Sequence, residues 1–193
     1  MPIERAAVET IEASARRIEG DGAPTLEEGW LRAEGVRLDM SAGFRLRIDQ
    51  LRLRLTITEV ELNRALEGLD LGPVRNASAA ILTGRVRLTG RYKLMGGLAA
   101  PFTLVAGLEP RAGLNVALDV QELSVVGVPN PAIIARAVED RLNARVAEAL
   151  AQADLPFPAR LETVTLEPGR VTIGLAGSLD LWRPGSTQRQ IGE

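Results

Sequence analysis

The chain has 193 residues, a formal net charge of −2, and neither Cys nor His, which suits one domain able to bury a core without covalent staples. The missing Cys excludes disulfides, iron–sulfur clusters and thiolate zinc sites, and the missing His removes the commonest general base and transition-metal ligand. Aromatic residues make up 3% of the chain, too few for base-stacking platforms, and the charge gives no general attraction to nucleic acid, so no nucleic-acid partner is expected.

Residues 3–19 place Ile3, Ala7, Ile11, Ala15 and Ile18 at steps of three and four. That spacing predicts an N-terminal helix over 1–22, broken by Gly20-Asp21-Gly22 with Pro24 beyond. The stretch has no continuous apolar run of the signal-peptide kind, and no run in the chain approaches the ~20 residues of a spanning helix. The expected location is the cytoplasm, with peripheral membrane contact, or the envelope if a leader has been removed.

From Trp30 to Ile57 the period becomes two. Val36, Leu38 and Met40 alternate with Arg37 and Asp39, Ser41-Ala42-Gly43 makes a turn, and Phe44, Leu46 and Ile48 alternate with Arg45, Arg47 and Asp49. After Asp49-Gln50 the apolar set changes parity to Leu51, Leu53, Leu55 and Ile57, with Arg52 and Arg54 between them. A one-residue slip would send the rest of the strand to the wrong face. A β-bulge absorbs it and bends the strand, and Asp-Gln is a poor two-residue hairpin turn.

Thr58 with Glu61 forms a capping box for a helix from Glu59 to about Glu67, ended by Gly68. Alternation resumes at Ile81, Val86, Leu88 and Tyr92, with Arg85, Arg87 and Arg91 opposite. Beyond Gly96-Gly97, Phe102, Leu104, Ala106 and Leu108 form another strand. Leu114, Val116, Leu118 and Val120 then slip to Leu123 and Val125, a second bulge. Asn130 and Pro131 suit the start of a long helix ended by Pro156 and Pro158, with Ile134, Val138, Leu142, Val146 and Leu150 every four residues. At ~1.5 Å per residue it would span roughly 35 Å. Strands over 160–167 and from Val171 towards Leu181 close one domain over 23–182, and a polar tail over 183–193 is expected to be flexible. The fold class expected is α+β, a strongly curved antiparallel sheet wrapped around the long amphipathic helix.

No pattern supports catalysis, so neither an enzyme, a catalytic residue, a metal site nor a cofactor is expected. LMGGLAAP lacks the spacing of a phosphate loop, and no Ser has a His to activate it. The carboxylate pairs Glu27-Glu28 and Glu59 with Glu61 read as a loop and as a helix N-terminus that favours negative charge. Arg45, Arg47, Arg52 and Arg54 should share one sheet face and have two readings. They could hold phosphate or anionic headgroups, or form a solvated outer face paired with Asp and Glu on neighbouring strands. The helix stripe is core by default, but its small Ala132, Ala135, Ala137, Ala149 and Ala153 leave room for a ligand.

ITEVELNRAL resembles the strand-to-helix signature of the LmeA-like phospholipid-binding proteins of bacteria. VRNASAAILTGRVRLTGRYKL, APFTLVAGLEPRAGLNVALDVQELSVVGVPNP and LPFPARLETVTLEPGRVTIGLAGSL follow in an order similar to theirs, so the likeness spans roughly residues 26–180. It implies a fold related to the tubular lipid-binding superfamily. It further implies non-enzymatic binding of phospholipid or another amphiphile in an apolar tunnel between sheet and helix, as a carrier or sensor at a membrane surface. The lining residues expected are Ile134, Val138, Leu142 and Val146 on the helix, Phe44 and Leu53 on strands, and Met95 and Phe102 near a mouth. Arg45, Arg47, Arg52 and Arg54 are the headgroup or membrane candidates. The alternative is a structural or protein-interaction module with a filled core, offering a sheet edge or its Arg face to a partner.

Overall fold

The computed structural model describes residues 5–19, 25–41, 43–68, 73–93, 98–125 and 157–184, and between the last two segments residues 132, 135, 136, 138–141, 143 and 144. The elements are β1 (Arg5–Ile18), β2 (Leu26–Asp39), β3 (Gly43–Thr58), α1 (Glu59–Gly68), β4 (Val74–Leu82), β5 (Arg85–Lys93), β6 (Ala99–Pro110), β7 (Val116–Val125), β8 (Arg160–Glu167) and β9 (Arg170–Pro184). They make two antiparallel sheets: sheet A, in the order β1-β2-β3-β9-β8, and sheet B, in the order β4-β5-β6-β7.

Sheet A is built on the alternation read from the sequence. The β3–β9 register shifts between Ile48 and Leu51, so the expected bulge falls on Asp49-Gln50, and Leu46, Ile48 and Leu51 join one cluster. Gly35 on β2 sits beside that bulge with φ +66°, and a Cβ there would lie 2.5 Å from Asp49 Oδ2; only glycine fits. The second expected bulge is also present. Val105 pairs with Glu122 and Ala106 with Val120, leaving Gln121 as the extra residue of β7. Thr58 caps α1, accepting from the Glu61 N–H at 3.2 Å.

The core lies where the apolar face of sheet A meets sheet B. Leu53, Leu55 and Leu175 of sheet A pack with Leu161 and with Val116 of sheet B. Nearby, Leu166, Val171 and Ile57 pack with Ile81 of sheet B and Leu62 of α1. Backbone bonds stitch the two sheets at their turns: Gly84 N–H donates to Leu166 O, Gly169 N–H to Ile81 O and Leu161 N–H to Gly113 O, at 2.7–3.0 Å. Fully burying each such Leu or Val side chain is worth about 1.5–3 kcal/mol.

Both edges of sheet B are closed by the same side-chain device. On α1, Asn63 exchanges two hydrogen bonds with the backbone of Ala79 on β4, at 2.7 and 2.8 Å, and Glu59 accepts from the Ile81 N–H at 2.7 Å. On the helical residues between 132 and 144, Asn143 exchanges two with Val116 on β7, at 2.7 and 3.0 Å, and Glu139 accepts more weakly from Leu118 N–H at 3.4 Å. In each case a Glu four residues before an Asn supplies the missing neighbour of an edge strand. An unpaired ladder of N–H and C=O groups thereby loses its appetite for another chain.

Three expectations are corrected. The single curved sheet wrapped around a long helix is overturned: sheet A is covered over part of its length by a second sheet, and outside α1 the described helical residues are confined to a short stretch between 132 and 144. The physical reason lies in Glu139 and Asn143, whose hydrogen bonds dock that stretch against the β7 edge instead of leaving it inside a sheet. The helix expected over 1–22 is also overturned, because residues 5–18 form β1, hydrogen-bonded along its length to β2; residues 1–4 and 20–22 lie outside the described residues. Finally, β9 runs through Arg183 to Pro184, so these two residues belong to a strand, and the rest of the expected tail, residues 185–193, lies outside the described residues.

Replacing Asn63 or Asn143 by Ala leaves two backbone groups of an edge strand without partners. Each change is expected to cost about 1–3 kcal/mol in urea unfolding, with faster amide exchange confined to β4 or to β7 respectively.

Candidate functional site

Strand β3 has 16 residues, about 50 Å at the usual rise, and sheet B covers only part of that length. The half of sheet A nearest α1 packs on sheet B. In the middle, Ile11, Ala33, Leu51 and Gly177 lie side by side across β1, β2, β3 and β9. Phe157 presses on this row: a Cβ at Gly177 would stand 2.4 Å from its ring. Beyond Phe157 the next rows include Val8 opposite Val36, Ile48 opposite Leu179, and Ala6, Leu38, Leu46 and Leu181 in line. Among the described residues the cover ends here. Val8, Ile11, Met40, Phe44 and Leu181 are between 36% and 54% exposed, continuous with the buried Ala33, Val36 and Leu51. An apolar surface that runs unbroken from a core into solvent is the sort that takes an apolar partner.

The reverse face of sheet A is a lattice of arginines and acids. Arg45 forks onto Asp180, Nε to Oδ1 at 3.1 Å and Nη2 to Oδ2 at 2.8 Å. Arg37 and Arg47 both reach Asp49 at 3.0 Å, Arg5 reaches Asp39 at 3.1 Å, and Arg32 lies between Glu12 and Glu34. Arg54 stacks over the Trp30 ring, 5.0 Å from its centre. Arg52, facing Arg32 on β2 and Ala176 on β9, has no such partner among the described residues. The bulge at Asp49-Gln50 keeps Arg45 and Arg47 on the same side as Arg52 and Arg54, as the sequence implied.

The expected lining residues are dispersed. Phe44 stands on the open apolar end of sheet A. Leu53 is half-buried between the sheets against Val116, Leu161 and Leu175. Phe102 is buried among Val74, Ala79, Leu88 and Leu104, and Val138 packs against the same cluster, so these two share the packed core of sheet B. Ile134, Leu142, Val146 and Met95 lie outside the described residues. The sequence reading missed Val8, Ile11 and Leu181 as members of one face. The signal was the parity change in β1, from Ala6 and Val8 to Ile11, Ala13 and Ala15, which mirrors those in β2 and β3.

Electrostatics on the reverse face follow the pairing. The hydrogen bonds from Arg45 hold the Asp180 carboxyl below its ordinary value of 3.8, and the same contact raises Arg45. The Ser41 hydroxyl and N–H, both donating to Asp39 Oδ1, lower Asp39, with Arg5 adding a smaller push in that direction. A depressed carboxylate contributes stability above its unfolded pKa and loses it as pH falls through the folded one. Asp180→Asn should therefore lower stability slightly at neutral pH, the pair being open to solvent, and this difference should shrink as pH falls below about 4. Thermal melts from pH 7 down to pH 2 on both proteins check this.

With this geometry in place, comparison with known proteins adds one finding. No curated protein and no solved structure matches the chain. The model of the LmeA-like phospholipid-binding family matches residues 7–176, from β1 through Ala176 of β9, and the chain therefore belongs to that family.

Proposed function

We propose that this chain binds a phospholipid or another amphiphile without chemical turnover, laying an acyl chain along the open apolar end of sheet A and serving as a carrier or sensor at a membrane surface. The observation that carries the reading is the uncovered stretch of Val8, Met40, Phe44 and Leu181 continuing from the buried Val36 and Leu51, in a chain of a phospholipid-binding family. It replaces the tunnel between sheet and helix with an open face. Burying a sixteen-carbon chain is worth about 12 kcal/mol relative to water, at ~0.8 per methylene. A bilayer offers nearly the same burial, so transfer between membrane and protein is close to balanced, as a carrier or sensor requires.

The test is organic extraction of the purified protein followed by mass spectrometry, together with uptake of labelled phospholipid from vesicles. Lipid should co-purify, and Phe44→Asp with Leu181→Asp should cut uptake roughly tenfold or more while the melting temperature changes little, because both side chains are partly exposed. Consistent absence of lipid, with no uptake, sinks the reading.

One observation favours the second reading, an interaction module. Edge strands β4, β7 and β8 are all engaged by neighbouring segments. Strand β1, 14 residues long and exposed over nearly its whole length, is not engaged among the described residues. It could accept a strand from a partner protein. Thr10→Lys with Ser14→Lys would then abolish a stoichiometric complex and leave lipid uptake intact; a complex that survives the change argues against strand addition.

A further inference from the structure

The reverse face of sheet A contains a groove of about 420 Å³ whose lining includes Asp49, Gln50, Arg52, Arg160, Glu162, Ala176 and Ser178. Two register shifts shape it. Asp49 and Gln50 are the bulge of β3 against β9, and Glu162 is the extra residue where β8 slips against β9, between Leu161 and Thr163. Bulges widen and re-aim strands, and they gather next to binding sites for that reason. Between the two walls, β9 offers only small side chains.

We propose that this groove is a binding site for a phosphate group, held between the guanidinium groups of Arg52 and Arg160. Ala176 pairs with Arg52 on one side and with Arg160 on the other. The two arginines therefore flank a methyl-sized floor from strands roughly 10 Å apart, a span that two guanidinium forks can close around one tetrahedral anion. Neither arginine forms an ion pair among the described residues, while every other arginine on β2 and β3 is matched to a carboxylate or an aromatic ring.

The neighbours sharpen the case. On its other side Arg52 faces Arg32, and like charges directly opposite across strands are unfavourable. Arg32 is answered by Glu12 and Glu34, so Arg52 gains no counter-charge from the residue opposite it on β2. Asp49, the first acid in the lining, is already engaged by Arg37 and Arg47. Glu162 is the remaining acid, and it opposes a second negative charge on the ligand. The site does not depend on the apolar face carrying a lipid, since it lies on the opposite side of the sheet.

Titration calorimetry with glycerol 3-phosphate tests the proposal on the full chain. The unmodified protein should bind saturably. Arg52→Gln and Arg160→Gln should each weaken binding roughly tenfold or more, and Glu162→Gln should tighten it. Arg45→Gln, which removes a cation already paired with Asp180, should leave it unchanged. Ala176→Leu fills the floor while keeping both arginines, and should abolish binding; circular dichroism confirms that each variant folds. Flotation with phosphatidylcholine vesicles, with and without phosphatidylglycerol, separates two supporting outcomes. Loss of phosphatidylglycerol-dependent flotation in Arg52→Gln and Arg160→Gln assigns the phosphate to a lipid headgroup, and unchanged flotation assigns it to a soluble phosphate ester. No saturable binding by the unmodified protein, or binding that persists in the double variant, overturns the proposal.

Discussion

One inserted residue in β3 governs both faces of sheet A. Without the bulge at Asp49-Gln50, Leu46 and Ile48 would point to the side opposite Leu51 and Leu53, and the alternating pattern would cancel itself halfway along the strand. With it, apolar residues stay on one face for the full length of β3, and the arginines stay on the other. The same irregularity opens the wall of the groove over Ala176. A device that keeps a core face continuous therefore also creates the polar depression behind it.

The continuity matters because cover is scarce. Sheet B and α1 are short beside β2, β3 and β9, and they protect only one half of the apolar face. Phe157 extends the protection to the middle through its contact with Gly177. Past that point, Leu181, Phe44 and Met40 are all exposed. A protein that closes both edges of sheet B with matched Glu and Asn side chains leaves this end open among the described residues, and this is the end proposed above to take an acyl chain.

Much of this was legible in the residue pattern, and the parts that were not share a cause. Both bulges follow from parity alone, because a period-two pattern cannot hide an insertion. The α1 start follows from Thr58 and Glu61, whose bond is local. By contrast, β1 carries a spacing that fits a helix as well as a strand, and its choice is made by β2, which supplies hydrogen-bond partners from Leu26 to Asp39. The docking of Glu139 and Asn143 is equally non-local. Their spacing repeats that of Glu59 and Asn63, but nothing in either helix says that the partner is a strand edge rather than water.

The arginines make the point most sharply. Arg45 and Arg52 have the same neighbours in sequence terms, each following an apolar residue and preceding another, and both were reasonable candidates for an anion. What separates them is the residue presented by β9 more than a hundred positions later. Asp180 lies near Arg45 and neutralises it through a forked contact, whereas Ala176 lies opposite Arg52 and leaves it unanswered. A carboxylate set diagonally across on β9, opposite Arg47, makes a structural ion pair with Arg45, whereas only a methyl group stands opposite Arg52. The register of β3 on β9 thus decides which cations are available, and that register is itself set by the bulge.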